Sequence, residues 1–192
     1  DLQRQGFAGE LLIVQSNGGV MSRETACDVP IRTALSGPAA GVIACAAVAR
    51  ASGFPNVITG DMGGTSFDVS LVAQGEAALA AQPSLELGLV TDANVLLGRI
   101  AADRPLGGGL LQALDANLSK TAIQDHVATP LGLDVLQAAE AILTVANAKM
   151  AGAIRVVSIE RGHDPRQFAY MPFGGGGGLH VCAMMREVGV TT

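Results

Sequence analysis

The sequence predicts an α/β fold, on three observations. Hydrophobic residues are 49% of the 192 positions and charged residues only 15%, a composition that buries a core instead of staying disordered. Aromatics are 3% and tryptophan is absent, so that core must be packed from Ala, Val, Leu, Ile and Met around many glycines. Short apolar runs closed by glycine turns alternate with stretches of helical period. At about 100–200 residues per domain, the length allows one domain, or one lobe of a larger protein with part of its neighbour.

Leu11 to Gln15 is an apolar run closed by Ser16-Asn17-Gly18-Gly19, a strand entering a turn, with Val20 to Ser22 as its hairpin partner. Ser36-Gly37-Pro38 supplies an N-cap and a first-turn proline for a helix of small residues, Ala39 to Arg50, that stops before Gly53 and Pro55. Val57 to Met62, Phe67 to Ala73 and Ala77 to Gln82 read as three strands of an antiparallel meander. From Asn94 the pattern turns helical. Asp134 with Gln137 three residues on predicts a capping box opening a helix that runs to about Arg161, its apolar stripe formed by Val135, Ala139, Ile142, Ala146, Met150, Ala153 and Val157. Phe168 to Phe173 is a strand, Gly174 to Gly178 a glycine loop, and Leu179 to Val188 a helix ended by Gly189.

Twelve basic against seventeen acidic residues leave a net charge of −5. The basic ones are scattered from Arg4 to Arg186, which argues against a nucleic-acid surface. The uncharged stretch from Thr33 to Ala49 is interrupted by Ser36, Gly37, Pro38 and Gly41 and does not suit a membrane span. Asp1-Leu2-Gln3-Arg4 shows neither an initiator Met nor a leader pattern, so a cytoplasmic location and an origin in a longer chain are expected. Cys27, Cys45 and Cys182 are odd in number and far apart, which fits buried, reduced thiols and neither a disulfide framework nor a zinc site.

Two segments could carry chemistry. Asp61-Met62-Gly63-Gly64-Thr65-Ser66-Phe67-Asp68 places a carboxylate at a strand end before two glycines and a hydroxyl. Asp61 there can hold Mg²⁺ or orient a water, Gly63 and Gly64 let backbone N–H groups approach phosphate oxygens, and Thr65 adds a donor. The same residues also make an ordinary hairpin. In Phe173-Gly174-Gly175-Gly176-Gly177-Gly178-Leu179-His180 a strand passes through glycines into a helix N-terminus, where N–H groups and the helix dipole favour an anion. A flexible loop reads the same way. Lys120 and Lys149 are the only lysines, and neither lies in a Walker-type loop; G-x-G-x-x-G, H-E-x-x-H and G-x-S-x-G are all absent. His180 is expected to be a helix-terminal hydrogen-bonding residue, and His163-Asp164-Pro165-Arg166 a polar turn.

The chain resembles the hydantoinase A/oxoprolinase family, which also contains the β-type subunits of acetone carboxylases. The resemblance rests on Gln15-Ser16-Asn17-Gly18-Gly19, Leu35-Ser36-Gly37-Pro38-Ala39-Ala40-Gly41, Asp61 to Val69, Thr91-Asp92-Ala93-Asn94, Asp164-Pro165-Arg166 and Phe173-Gly174-Gly175 before Leu179-His180, in the family's order. It implies the ribonuclease-H-like lobe of actin-like, sugar-kinase-like and Hsp70-like ATPases, with a mixed sheet and flanking helices, in which two lobes clamp ATP and Mg²⁺. Residues 1–55 would then be the tail of the first lobe with a connecting helix, and 56–192 the second lobe. Asp61 would be the catalytic and metal-holding residue. Gly63, Gly64 and Thr65 would form the phosphate turn and Gly174, Gly175 and Gly176 would line the adenosine. Asn17, Gly18, Ser36, Asp92 and Asn94 would face the substrate or the other lobe.

Three departures qualify this. The family's first lobe has no counterpart here, so this chain supplies half of a clamp and is expected to be inactive alone. Several dozen residues that the family carries before Thr91 are missing, either deleted or skipped between Val90 and Thr91. The family's adenosine turn reads Gly-Gly-Ala-Gly-Pro, where this chain is glycine throughout 174–178. The activity implied is ATP-dependent opening of a cyclic amide such as a hydantoin or 5-oxoproline, through phosphorylation of its carbonyl oxygen, with a hydantoinase B-type subunit or domain as partner. An acetone-type carboxylase subunit and a non-enzymatic actin-like nucleotide-binding module are the alternatives.

Overall fold

The structure is a computed structural model that describes residues 2–64, 66–78, 85–86, 88–103 and 114–192. Its first strands, β1 (Leu12–Val14) and β2 (Val20–Ser22), form a separate antiparallel hairpin with Leu12 opposite Ser22. The short helix α1 (Arg23–Asp28) follows, its first turn capped by the Ser22 hydroxyl, which accepts from the Thr25 N–H. Helix α2 (Ser36–Ala51) then leads to the main sheet.

That sheet contains β3 (Val57–Met62), β4 (Ser66–Ala73), β5 (Glu76–Ala78), β6 (Leu85–Glu86) and β7 (Ala169–Phe173). The order is β5-β4-β3-β7, and β6 pairs with β4 off this path. β3, β4 and β5 are the expected antiparallel meander, whereas β7 runs parallel to β3. A parallel neighbour requires a long crossover. Here it contains α3 (Val90–Leu96), α4 (Ala116–Ile123), the π-helical turn Gln124–Ala128, the single turn α5 (Thr129–Leu131) and the long helix α6 (Val135–Val157). After β7, α7 (Gly177–Val188) closes the fold. A meander followed by a parallel strand beside its first member is the ribonuclease-H-like arrangement expected, and the sheet is mixed with helices on both faces.

Strand alternation decides what each face meets. Val57 and Val72 point to α2 and pack with Val42, Ala46 and Ala49. Ile58, Met62, Phe67, Val69 and Leu71 point the other way, into a core with Ala93 of α3, Leu143, Ala146, Met150 and Ile154 of α6, and Met184 of α7. The small residues of α6 bring helix and sheet close. Its N-terminus shows the full capping box: the Asp134 carboxylate accepts from Leu136 and Gln137, and the Gln137 side chain accepts from the Asp134 N–H. By length and composition alone Val135–Arg161 would suffice to cross a bilayer, a feature that the uncharged stretch at 33–49 did not reveal. It packs instead as the central helix under the sheet.

Several expectations need correction. Ser36 is the first helical residue of α2 and not its cap; Leu35 takes that place in the left-handed region (φ +61°) without a side-chain cap bond, and Ala39 N–H donates to the Leu35 carbonyl. Gly177 and Gly178 belong to α7, so the loop is only Gly174–Gly176. Gly177 sits against Pro172 and the Gly60 carbonyl, where a small residue fits the close approach. Only Cys45 is a buried thiol, because Cys27 and Cys182 fall on outward faces of α1 and α7. Of the third strand, Glu76–Ala78 is observed, and 79–82 lie outside the described residues.

Candidate functional site

The two glycine turns lie side by side because their strands do. Asp61, near the C-terminal end of β3, is in register with Phe173, the last residue of parallel β7. The chain leaves both strands at the same edge of the sheet, and the turns meet. Gly176 N–H donates to the Met62 carbonyl at 2.8 Å. A Cβ on Gly174 would lie 2.6 Å from Asp61 Oδ1 and closer still to the Met62 carbonyl oxygen, and φ there is +80°, so only glycine fits. A Cβ on Gly176 would come within 2.8 Å of the Gly63 carbonyl. Gly175, by contrast, faces open space.

Gly63 N–H donates to the Ser66 carbonyl, closing the β3–β4 turn, and Gly64 is exposed at its tip. Thr65 lies outside the described residues. Asp61 is half-buried and directly opposite Asp68 on β4. Burial, and to a lesser degree the Asp68 charge, raise its carboxyl above the usual aspartate value. Helix α2 covers this pair. The Cys45 thiol is pushed up by burial and by Asp61, and Gly41 leaves room for the Phe173 ring 3.0 Å from where its Cβ would be.

The remaining candidates divide. Asp92 and Asn94 lie on α3, beside the β3–β4 turn. Asp92 accepts from the Ser119 hydroxyl at 2.7 Å, and Asn94 is fully buried. Asn17 and Gly18 form the tip of the β1–β2 hairpin, where Asn17 Oδ1 accepts from Gly19 N–H. Ser16 binds the carbonyls of Arg32 and Ala34, which anchors this hairpin to the segment leading into Ser36. These three residues make a second neighbourhood, joined to the first through α2. Asp164 and Arg166 pair with each other in a polar turn, as expected. His180 is a hydrogen-bonding helix residue as expected, but it is buried, and burial, with Arg99 contributing, lowers its pKa.

Three participants were not singled out by the sequence: Thr91, whose hydroxyl donates to the Gly64 carbonyl, Asn147, which accepts from His180, and Asp68 as partner of Asp61. Thr91 was within reach, since it stands in the same four-residue motif as Asp92 and Asn94.

A divalent ion would find two carboxylates here, Asp61 and Asp68. Among the described residues no three His, Cys, Asp or Glu side chains converge. Two carboxylates suit Mg²⁺, which takes few protein ligands and completes its shell with phosphate oxygens and water. The geometry as a whole offers an anion two adjacent backbone turns and a helix N-terminus, with the carboxyl of Asp61 beside them as a position for a cation.

Comparison with known proteins shows the family. The hydantoinase/oxoprolinase family profile matches residues 1–89 and 80–192. The caprolactamase subunit alpha of Pseudomonas jessenii is 33% identical over 91% of this chain and 32% of its own length. The acetone carboxylase beta subunit of Xanthobacter autotrophicus is 25% identical over 97% of this chain and 33% of its own. Among solved structures, nucleotide-free acetone carboxylase superposes with a TM-score of 0.85 at 24% identity, covering 98% of this chain and 33% of that one. ATP-dependent caprolactamase from P. jessenii superposes with a TM-score of 0.71 at 31% identity, covering 98% and 34%. The chain thus spans about a third of these relatives, and it belongs to the hydantoinase/oxoprolinase family.

Proposed function

We propose that this chain is the second nucleotide-binding lobe of an ATP-dependent enzyme that opens a cyclic amide of the hydantoin or 5-oxoproline type. The observation that carries the reading is the hydrogen bond from Gly176 N–H to the Met62 carbonyl, which joins the two turns at one edge of the sheet next to Asp61. A five-membered lactam resists water because its amide is a poor electrophile. Phosphorylation of the carbonyl oxygen turns that oxygen into a leaving group, which gives an ATP site a use in a hydrolase. Gly63 and Gly64 would receive the phosphates and Gly174–Gly176 the adenosine. Asp61 and Asp68 would hold Mg²⁺, whose chemistry is to neutralise phosphate charge during transfer. The raised pKa of Asp61 is consistent with a carboxylate awaiting a cation. A relative described as ATP-dependent caprolactamase, at 31% identity, supports the class.

A carboxylase that activates a small ketone is the second reading, favoured by the acetophenone carboxylase gamma subunit of Aromatoleum aromaticum at 28% identity over 97% of this chain. Both readings need the rest of the enzyme and a partner subunit. The deciding experiment assays the assembled protein for ATP hydrolysis stimulated by hydantoins, 5-oxoproline, caprolactam, or acetone with bicarbonate. Asp61→Asn should lower the stimulated rate by about a hundredfold or more, the scale of a lost acid–base or metal-holding group. An unchanged rate would remove Asp61 from the mechanism.

A further inference from the structure

The two glycine turns are also tied together from below, through α3. The Thr91 hydroxyl donates to the Gly64 carbonyl at 2.8 Å. Three residues on, Asn94 is 1% exposed; its Nδ2 donates to the Val90 carbonyl and lies 3.5 Å from His180 Nε2. His180, the fourth residue of α7, is itself 2% exposed, and its Nδ1 is 2.7 Å from Asn147 Oδ1 on α6. The Asn147 oxygen can only accept, so the imidazole proton is on Nδ1 and Nε2 is left to accept from Asn94. Helix α7 begins beside Gly176, whose N–H reaches back to Met62. The path from Gly64 through Thr91, Asn94, His180 and Gly176 therefore returns to the strand end that carries Asp61.

Two details argue that this path serves the site and not merely the packing. Thr91 is in the first turn of α3, yet its hydroxyl bonds the facing turn, while the helix is entered through a left-handed Leu89 with no side-chain cap bond. Asn94 Oδ1 is buried without a partner among the described residues, a cost that an apolar residue of similar size would avoid. An amide there is explained by the contact it makes with His180.

We propose that Thr91 is a positioning residue for the phosphate turn, and that α3, through Asn94 and His180, holds that turn in register with the turn that opens α7. This rests on the nucleotide reading above. Thr91 acts through the Gly64 carbonyl, fixing the orientation of the peptide that would meet a phosphate.

The test uses the assembled protein with Thr91→Val, which removes the hydroxyl at constant shape, and Thr91→Ser, which restores it. Calorimetry would measure binding of ATP and of AMP, and hydrogen–deuterium exchange would follow the 62–67 turn. The expected result for Thr91→Val is an ATP affinity about tenfold weaker, the order of a lost positioning contact, with AMP affinity unchanged. Exchange of the turn should be faster, and both effects should be reversed in Thr91→Ser. Unchanged exchange in Thr91→Val would overturn the proposal, as would faster exchange with unchanged ATP affinity. Equal losses for ATP and AMP that Thr91→Ser does not rescue would reduce Thr91 to a structural residue. Absence of ATP binding by the unsubstituted protein would overturn the nucleotide reading itself, and the exchange measurement would still show whether Thr91 holds the turn.

Discussion

Asp61 and Asp68 stand opposite each other across the β3–β4 ladder, on the face that α2 covers. Burial first and Asp68 second make Asp61 harder to ionise in the fold than in the unfolded chain. Its ionisation therefore lowers stability above the raised folded value, and the penalty vanishes as pH falls below the unfolded value of 3.8. Asp61→Asn is expected to stabilise the ligand-free protein at neutral pH, with a gain that shrinks on acidification through that window. Urea midpoints at several pH values check this; a variant less stable than the parent at neutral pH would contradict it.

His180 has the opposite sign. Burial lowers its pKa below 6.5, so the unfolded chain takes up the proton first. The stability it contributes is complete above the unfolded value and is lost as pH falls toward the folded one. In His180→Gln the decline between neutral and mildly acidic pH should be shallower. Parallel pH profiles for the two proteins would count against a neutral buried imidazole.

Gly174 and Gly175 separate folding from binding. Gly174→Ala places a methyl against Asp61 and the Met62 carbonyl at positive φ, and should cost more than about 1 kcal/mol. Gly175→Ala meets open space and should leave the thermal midpoint nearly unchanged while weakening ATP binding, because the added methyl occupies the approach to the backbone. Equal ATP affinity in Gly175→Ala would move the ligand away from this turn.

The capping box of α6 is predicted to contribute on its own. Asp134→Ala removes the acceptor for the Leu136 and Gln137 N–H groups and should destabilise by about 1 kcal/mol in urea unfolding. Asp134→Asn, which keeps an acceptor, should lose much less.

The sequence by itself determined the local elements, because the signals for them are local. Phe67 to Ala73 alternates, Val57–Met62 runs into Gly63 and Gly64, Asp134 and Gln137 stand three apart before an apolar stripe, and Gly189 stops α7; each is visible in a short stretch of chain. It also determined the pairing of motifs, since Asp61 with Gly63 and Gly64, and Gly174 with Gly175, are recognisable as residue types that leave backbone accessible. The sequence could not show that Gly177 and Gly178 extend α7, because glycine is a poor helix former and only the contact of Gly177 with Pro172 justifies it. Nor could it show that Leu35 replaces Ser36 as the cap, a choice made by the backbone path between the hairpin and α2. Only the tertiary structure decided that the two turns share one edge, which follows from the parallel register of Asp61 with Phe173, far apart in the chain. It alone made Thr91, Asn94, Asn147 and His180 neighbours. Such contacts form between helices that meet only after the crossover has folded over the sheet, and no spacing along the chain records them.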